Sequence, residues 1–169
     1  MANNEAKHWP IGITAAILAV VVACGLTIYI VVKHAPVEES NVYMQGYHDT
    51  DANYNEIIAA KNSFDKLYTI SFNTPQIKEE NTILDYSVKA LDGQTVENAE
   101  LKIVLTLPYT SKEDITLENS TFNGQSYTLE SVNLPHPGRW NIMAKVTVGD
   151  EYRYYNLHAD TRAANTYEY

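Results

Sequence analysis

The chain has 169 residues, with 21 acidic and 12 basic side chains and a net charge of −9, a balance that argues against nucleic acid, whose phosphates are met by cations. Its one cysteine, Cys24, excludes an intramolecular disulfide and any site needing several thiolates, so the fold must rest on ordinary core packing. Once an apolar segment is set aside, the length leaves room for one domain of ordinary size.

Residues 11–32, from Ile11 to Val32, carry no charged side chain. As a helix rising about 1.5 Å per residue they reach roughly 33 Å, enough to cross the roughly 30 Å hydrocarbon core of a bilayer. A secretory signal has an apolar run of about 7–15 residues followed by a small-x-small site. Here the run is longer and leads into Lys33-His34-Ala35-Pro36, so a retained transmembrane helix is expected. Trp9 and Tyr29 lie towards its ends, where amphipathic rings favour the headgroup layer. Lys7 and Lys33 flank it, so the positive-inside bias is weak. The short segment of residues 1–10 has little to translocate, and it is read as cytoplasmic with the body outside. Ala15, Ala19, Ala23 and Thr27 recur every four residues. Such a small-residue stripe lets helix backbones approach closely in lipid, although Ala is common in any apolar segment.

Residues 33–68 read as a stem and a membrane-proximal helix. Pro36 to Ser40 is acidic. Tyr54, Ile57, Ile58, Lys61, Phe64 and Tyr68 then fall near one helical face, with Asp51 or Asn53 as the cap. Residues 41–50 either extend this helix or form a turn before it. Beyond Tyr68 the period becomes two. Leu84, Tyr86, Val88 and Ala90 alternate with polar residues, and Asp92-Gly93 offers the chemistry of a tight hairpin before a second run of Leu101, Ile103, Leu105 and Leu107. A weaker run is centred on Tyr127 and Leu129. Pro137-Gly138 precedes Trp140, Ile142, Ala144, Val146 and Val148, and Gly149-Asp150 turns the chain into Tyr152, Tyr154 and Tyr155. Residues 69–158 therefore read as an antiparallel sandwich of immunoglobulin-like type, with Trp140 central to its core. The patternless segment Arg162 to Tyr169 lies in an expected C-terminal tail, residues 159–169, that frays.

Catalytic patterns are not found. His8, His34, His48, His136 and His158 are scattered, without the spacing of a zinc site, and neither a Gly-rich phosphate loop nor a nucleophile motif occurs. Met44 and His48 are four apart and would share a helical face; thioether with imidazole suits Cu(I), but no third ligand lies nearby. The chain holds 13 tyrosines, a residue type enriched at interfaces and also suited to strands. Tyr43, Tyr47 and Tyr54, close behind the anchor, are candidate partner contacts together with the small stripe.

The order of parts resembles the FixH (CcoH) family. The resemblance rests on a short cytoplasmic start, one anchor, and a Tyr-rich helix carrying Tyr43-Met44-Gln45-Gly46-Tyr47 and Tyr54-Asn55. It continues through Asp92-Gly93-Gln94-Thr95-Val96-Glu97-Asn98-Ala99, Leu105-Thr106-Leu107-Pro108, Asp114, Gly124, Tyr127, and Leu134 leading to Pro137-Gly138-Arg139-Trp140. The β region also resembles the YtkA-like sandwich of copper-related envelope proteins. The chain departs from the family pattern at Leu107-Pro108, where an Arg-Pro step is common, and in the spacing from Gly46 to Tyr54. The resemblance implies a non-enzymatic protein of the bacterial inner membrane with a periplasmic domain. Its expected role is assembly of a cbb3-type cytochrome c oxidase, through contact with oxidase subunits and a link to a copper-exporting ATPase. A copper carrier using Met44 and His48, and a structural subunit of another envelope complex, are the alternatives.

Overall fold

The computed structural model describes residues 8–34, 43–44 and 47–169 of the chain. It falls into two units, residues 1–38 and 39–169.

The first unit is helix α1, His8–His34. Over its 27 residues it reaches about 40 Å, longer than the expected span by the turn that carries Trp9. Every described side chain of this helix is exposed, as suits a helix whose solvent is hydrocarbon. Its hydroxyls are satisfied internally: Thr14 donates to the Pro10 carbonyl and Thr27 to the Ala23 carbonyl, each at 2.9 Å. Lys33 Nζ donates to the Tyr29 hydroxyl at 3.1 Å, which holds the one charge of the described end beside an interfacial ring.

The second unit begins its regular structure with α2, Tyr47–Asp65. The helix starts ahead of the expected caps, so Asp51 and Asn53 lie inside it. It closes with Leu67 N–H donating to the Phe64 carbonyl at 2.9 Å. Tyr68, expected on the helix face, instead opens strand β1, Tyr68–Phe72, because that turn redirects the chain. The remaining strands are β2 Asp85–Ala90, β3 Ala99–Leu107, β4 Thr110–Leu117, β5 Ser120–Phe122, β6 Tyr127–Leu129, β7 Arg139–Val148, β8 Glu151–Asp160 and β9 Ala163–Glu168. They form two antiparallel sheets, ordered β1-β2-β6-β5 and β4-β3-β7-β8-β9. The protein is thus an apolar helix, a short helix and a β-sandwich.

Alternation decides what fills the space between the sheets. Leu101, Ile103, Leu105 and Leu107 of β3 are all buried, as are Trp140, Ile142, Ala144 and Val146 of β7, and across from them lie Tyr86, Val88, Tyr127 and Leu129. Trp140 is fully buried and donates its Nε1–H to the His136 carbonyl at 3.0 Å, which satisfies the one polar atom of the ring.

Three expectations are corrected. The Asp92-Gly93 turn is present, with Gly93 at φ 88°, but it does not join two strands of one sheet. Ala90 N–H donates to the Gln94 carbonyl at 2.8 Å, Val96 pairs back to Val88 at 3.0 Å, and the chain then crosses to the other sheet. Tyr127 holds that crossing: its hydroxyl donates to the Val96 carbonyl at 2.7 Å and accepts from Ala99 N–H at 2.9 Å. Second, the C-terminal segment does not fray: β9 pairs with β8 through Leu157↔Glu168, His158↔Tyr167 and Asp160↔Ala163. Its side chains are largely exposed, so backbone pairing shapes it and no apolar alternation announces it. Third, the membrane-proximal helix is no separate stem, because Phe64 is fully buried within the sandwich core and Ile57 is also buried.

Two tyrosines make opposite demands. Replacing Tyr127 by Phe removes both crossing bonds and leaves a buried N–H unpaired, and should cost about 1–3 kcal/mol in denaturant unfolding of the detergent-solubilised protein. The Tyr86 hydroxyl is buried with no hydrogen-bond partner, so Tyr86→Phe should be neutral or stabilising by up to about 1 kcal/mol in the same measurement.

Candidate functional site

Two surfaces carry the expected contact residues. On α1, four residues advance the helix by a little more than one turn, so Ala15, Ala19, Ala23 and Thr27 form a shallow stripe rising about 18 Å from end to end. All four side chains are exposed. Because the Thr27 hydroxyl is bonded to the Ala23 carbonyl within the stripe itself, the stripe offers a flat surface with no unsatisfied donor. Gly12 and Ala16 extend it: Gly12, Ala16, Ala19 and Ala23 are spaced four, three and four apart, a second seam overlapping the first, and nothing lies within 4 Å of the position a Cβ would take at Gly12.

The neck is only partly assembled as expected. Tyr43 is half-buried and meets Tyr154 of β8 edge to face, with ring centres 5.3 Å apart. Tyr154 in turn meets Tyr152 at 5.9 Å. Lys145 Nζ lies 4.7 Å from the Tyr152 ring centre and 5.8 Å from that of Tyr154, a cation–π arrangement that strand alternation on β7 and β8 produces. Tyr54 is not part of this group: it is 48 % exposed on α2. Residues 51–56 of α2 are all exposed, so Tyr54 stands free of the sandwich. The side chains of Tyr47 and His48 lie outside the described residues. Met44 sits in a left-handed bend with φ 57° ahead of α2, so it does not share a helical face with His48, and the spacing argument for a copper pair loses its basis. Among the described residues no three His, Cys, Asp or Glu side chains are grouped as metal ligands.

An open groove of about 630 Å³ flanks the aromatic group, lined by Glu100, Lys102, Glu118, Asn119, Lys145 and Thr147. Lys102 pairs with Glu118 at 2.6 Å, so its charges are largely answered within the protein. At the other end of β8, His158 Nδ1 lies 2.8 Å from Asn141 Oδ1, the ring stacks on Tyr169 at 3.8 Å, and Tyr167 meets its edge. Sequence reading missed Lys145, Arg153 and this His158 cluster, since each becomes a neighbour of the neck or tail only through cross-strand register.

With this geometry in hand, comparison is direct: the FixH family profile matches residues 4–158. The chain belongs to the FixH family. The match begins ahead of α1 and runs into β8, so both surfaces lie within the family region. No curated protein and no solved structure matches the chain.

Burial, and after it the charge of Arg139, hold the His158 pKa below its ordinary 6.5. The fold favours neutral His158, so the stability it contributes is complete above pH 6.5 and is lost as pH falls through that value towards the lower folded pKa. Amide protection of β9 should therefore decline as the pH drops below about 6.5, and His158→Gln should flatten that dependence in hydrogen-exchange measurements.

Proposed function

We propose that this protein is a membrane-anchored accessory factor for assembly of a cbb3-type cytochrome c oxidase, working by contact and not by catalysis. It sits in the bacterial inner membrane as a single-pass protein with its sandwich in the periplasm. The observation that carries the reading is the FixH match over residues 4–158. An N-terminal helix long and apolar enough to span a membrane supports it, as does an exposed small-residue seam that suits a helix partner in lipid.

In this reading the α1 stripe of Ala15, Ala19, Ala23 and Thr27 packs on a transmembrane helix of an oxidase subunit. The neck, with Tyr43, Tyr47 and Tyr54, meets the same partner outside the bilayer. The sandwich supplies a stable base. A copper-exporting ATPase is a further partner that the family role suggests. Carriage of copper by the protein itself is the weaker reading, because the Met44–His48 pairing that motivated it relied on a continuous helix through residue 44.

Two measurements test the proposal. A strain lacking the protein should assemble less oxidase, with reduced heme and copper content in the membrane fraction; full activity and unchanged metal content would refute the role. Ala19→Leu should weaken co-purification of oxidase subunits from gently solubilised membranes by at least about tenfold, the effect of roughly 1.4 kcal/mol, while the circular dichroism of the sandwich stays as in the wild type. Co-purification at the wild-type level would remove the stripe from the interface.

A further inference from the structure

We infer that the junction of α2, β8 and β9 is a latch that holds the neck helix on the sandwich and can release it. Its central group is the Arg153 guanidinium. Nη1 donates to Asp65 of α2 at 2.6 Å, Nη2 donates to Glu168 of β9, and the group lies 5.4 Å from the Tyr155 ring centre. One cation therefore joins carboxylates from opposite ends of the domain. The Arg153 side chain is 11 % exposed, against 38 % for each carboxylate, so the buried charge depends on partners that water can reach.

The end of β9 is itself fastened to β8. Tyr169 N–H donates to the Asn156 carbonyl at 3.2 Å, its ring stacks on His158, and its hydroxyl is held above the ordinary tyrosine pKa by burial and then by neighbouring Tyr43. The last residues thus pack along β8 and, through Arg153, are joined to Asp65 at the end of α2. β9 is the strap of the latch.

Two features make the junction releasable. Among the described side chains of α2 the buried ones, Ile57 and Phe64, lie in its second half, whereas residues 51–56 are exposed throughout. The polar groups beneath are also incompletely satisfied, since Arg153 Nε and the Tyr86 hydroxyl are both buried without a hydrogen-bond partner, with the Tyr86 and Tyr155 rings 6.5 Å apart. A partly satisfied buried network is costly, which offsets part of what the burial of Phe64 and Ile57 contributes to keeping the latch shut. The purpose of release, a neck that adapts to its membrane partner, rests on the docking reading above; the test does not.

Hydrogen exchange on the full chain in detergent micelles supplies that test, comparing wild type with the double variant Glu168→Gln/Tyr169→Ala and with a chain ending at Arg162. Both altered proteins should exchange residues 57–65 about tenfold faster than wild type while β3 and β7 keep their protection, the pattern of a local opening. Protection of α2 within about twofold of wild type in both, or loss of protection in β3 and β7 together with α2, would overturn the latch. Selective release in a protein that co-purifies with no oxidase would keep the latch and remove the docking reading. Co-purification with α2 unaltered in both proteins would do the reverse.

Discussion

The pairing of β3 with β7 carries the body of this protein. Leu101 faces Val146, Ile103 faces Ala144 and Leu105 faces Ile142, so one register sets six apolar side chains on a single face. A slip of one residue would turn that whole set outwards. Trp140 fills the space where β7 begins, the four-stranded sheet closes over it, and the Tyr127 hydroxyl secures the chain where it passes between sheets. The neck helix depends on the same packing, because Phe64 is buried only where the sandwich already provides an apolar wall.

Set beside this body, α1 follows the opposite rule. The sandwich hides its aliphatic residues and shows water a polar surface, whereas α1 exposes Ile, Leu and Val along its whole described length. Each arrangement is stable only in its own solvent. The two units are therefore separable by their packing: α1 is long and apolar enough to span a membrane, whereas the sandwich is a closed core. Membership of the FixH family agrees with a protein whose work is contact.

Much of this was legible in the sequence wherever a periodicity was enforced by burial. The anchor, β2, β3 and β7 each alternate or run apolar because every second or every successive residue meets hydrocarbon or core. β4 and β9 were not legible for the converse reason: Thr110–Leu117 and Ala163–Glu168 are edge strands without a fully buried side chain, held by backbone bonds that any residues can make. The Asp92-Gly93 turn was recognised while its destination was not, since turn chemistry states that the chain reverses and not which sheet receives it. Of the contact residues, Tyr43 does pack on the sandwich, but Arg153 and Lys145 escaped notice because their partners lie on strands distant in sequence.

That distance governs the order in which the protein is completed. Asp65 and Arg153 are separated by 88 positions, which at cellular translation speeds means on the order of ten seconds between the two. Throughout that interval the ribosome has delivered the hydrophobic side of α2, Ile57 and Phe64 included, without the β-strand that will receive it. A growing chain therefore passes through a stage in which Ile57 and Phe64 have no sheet to cover them.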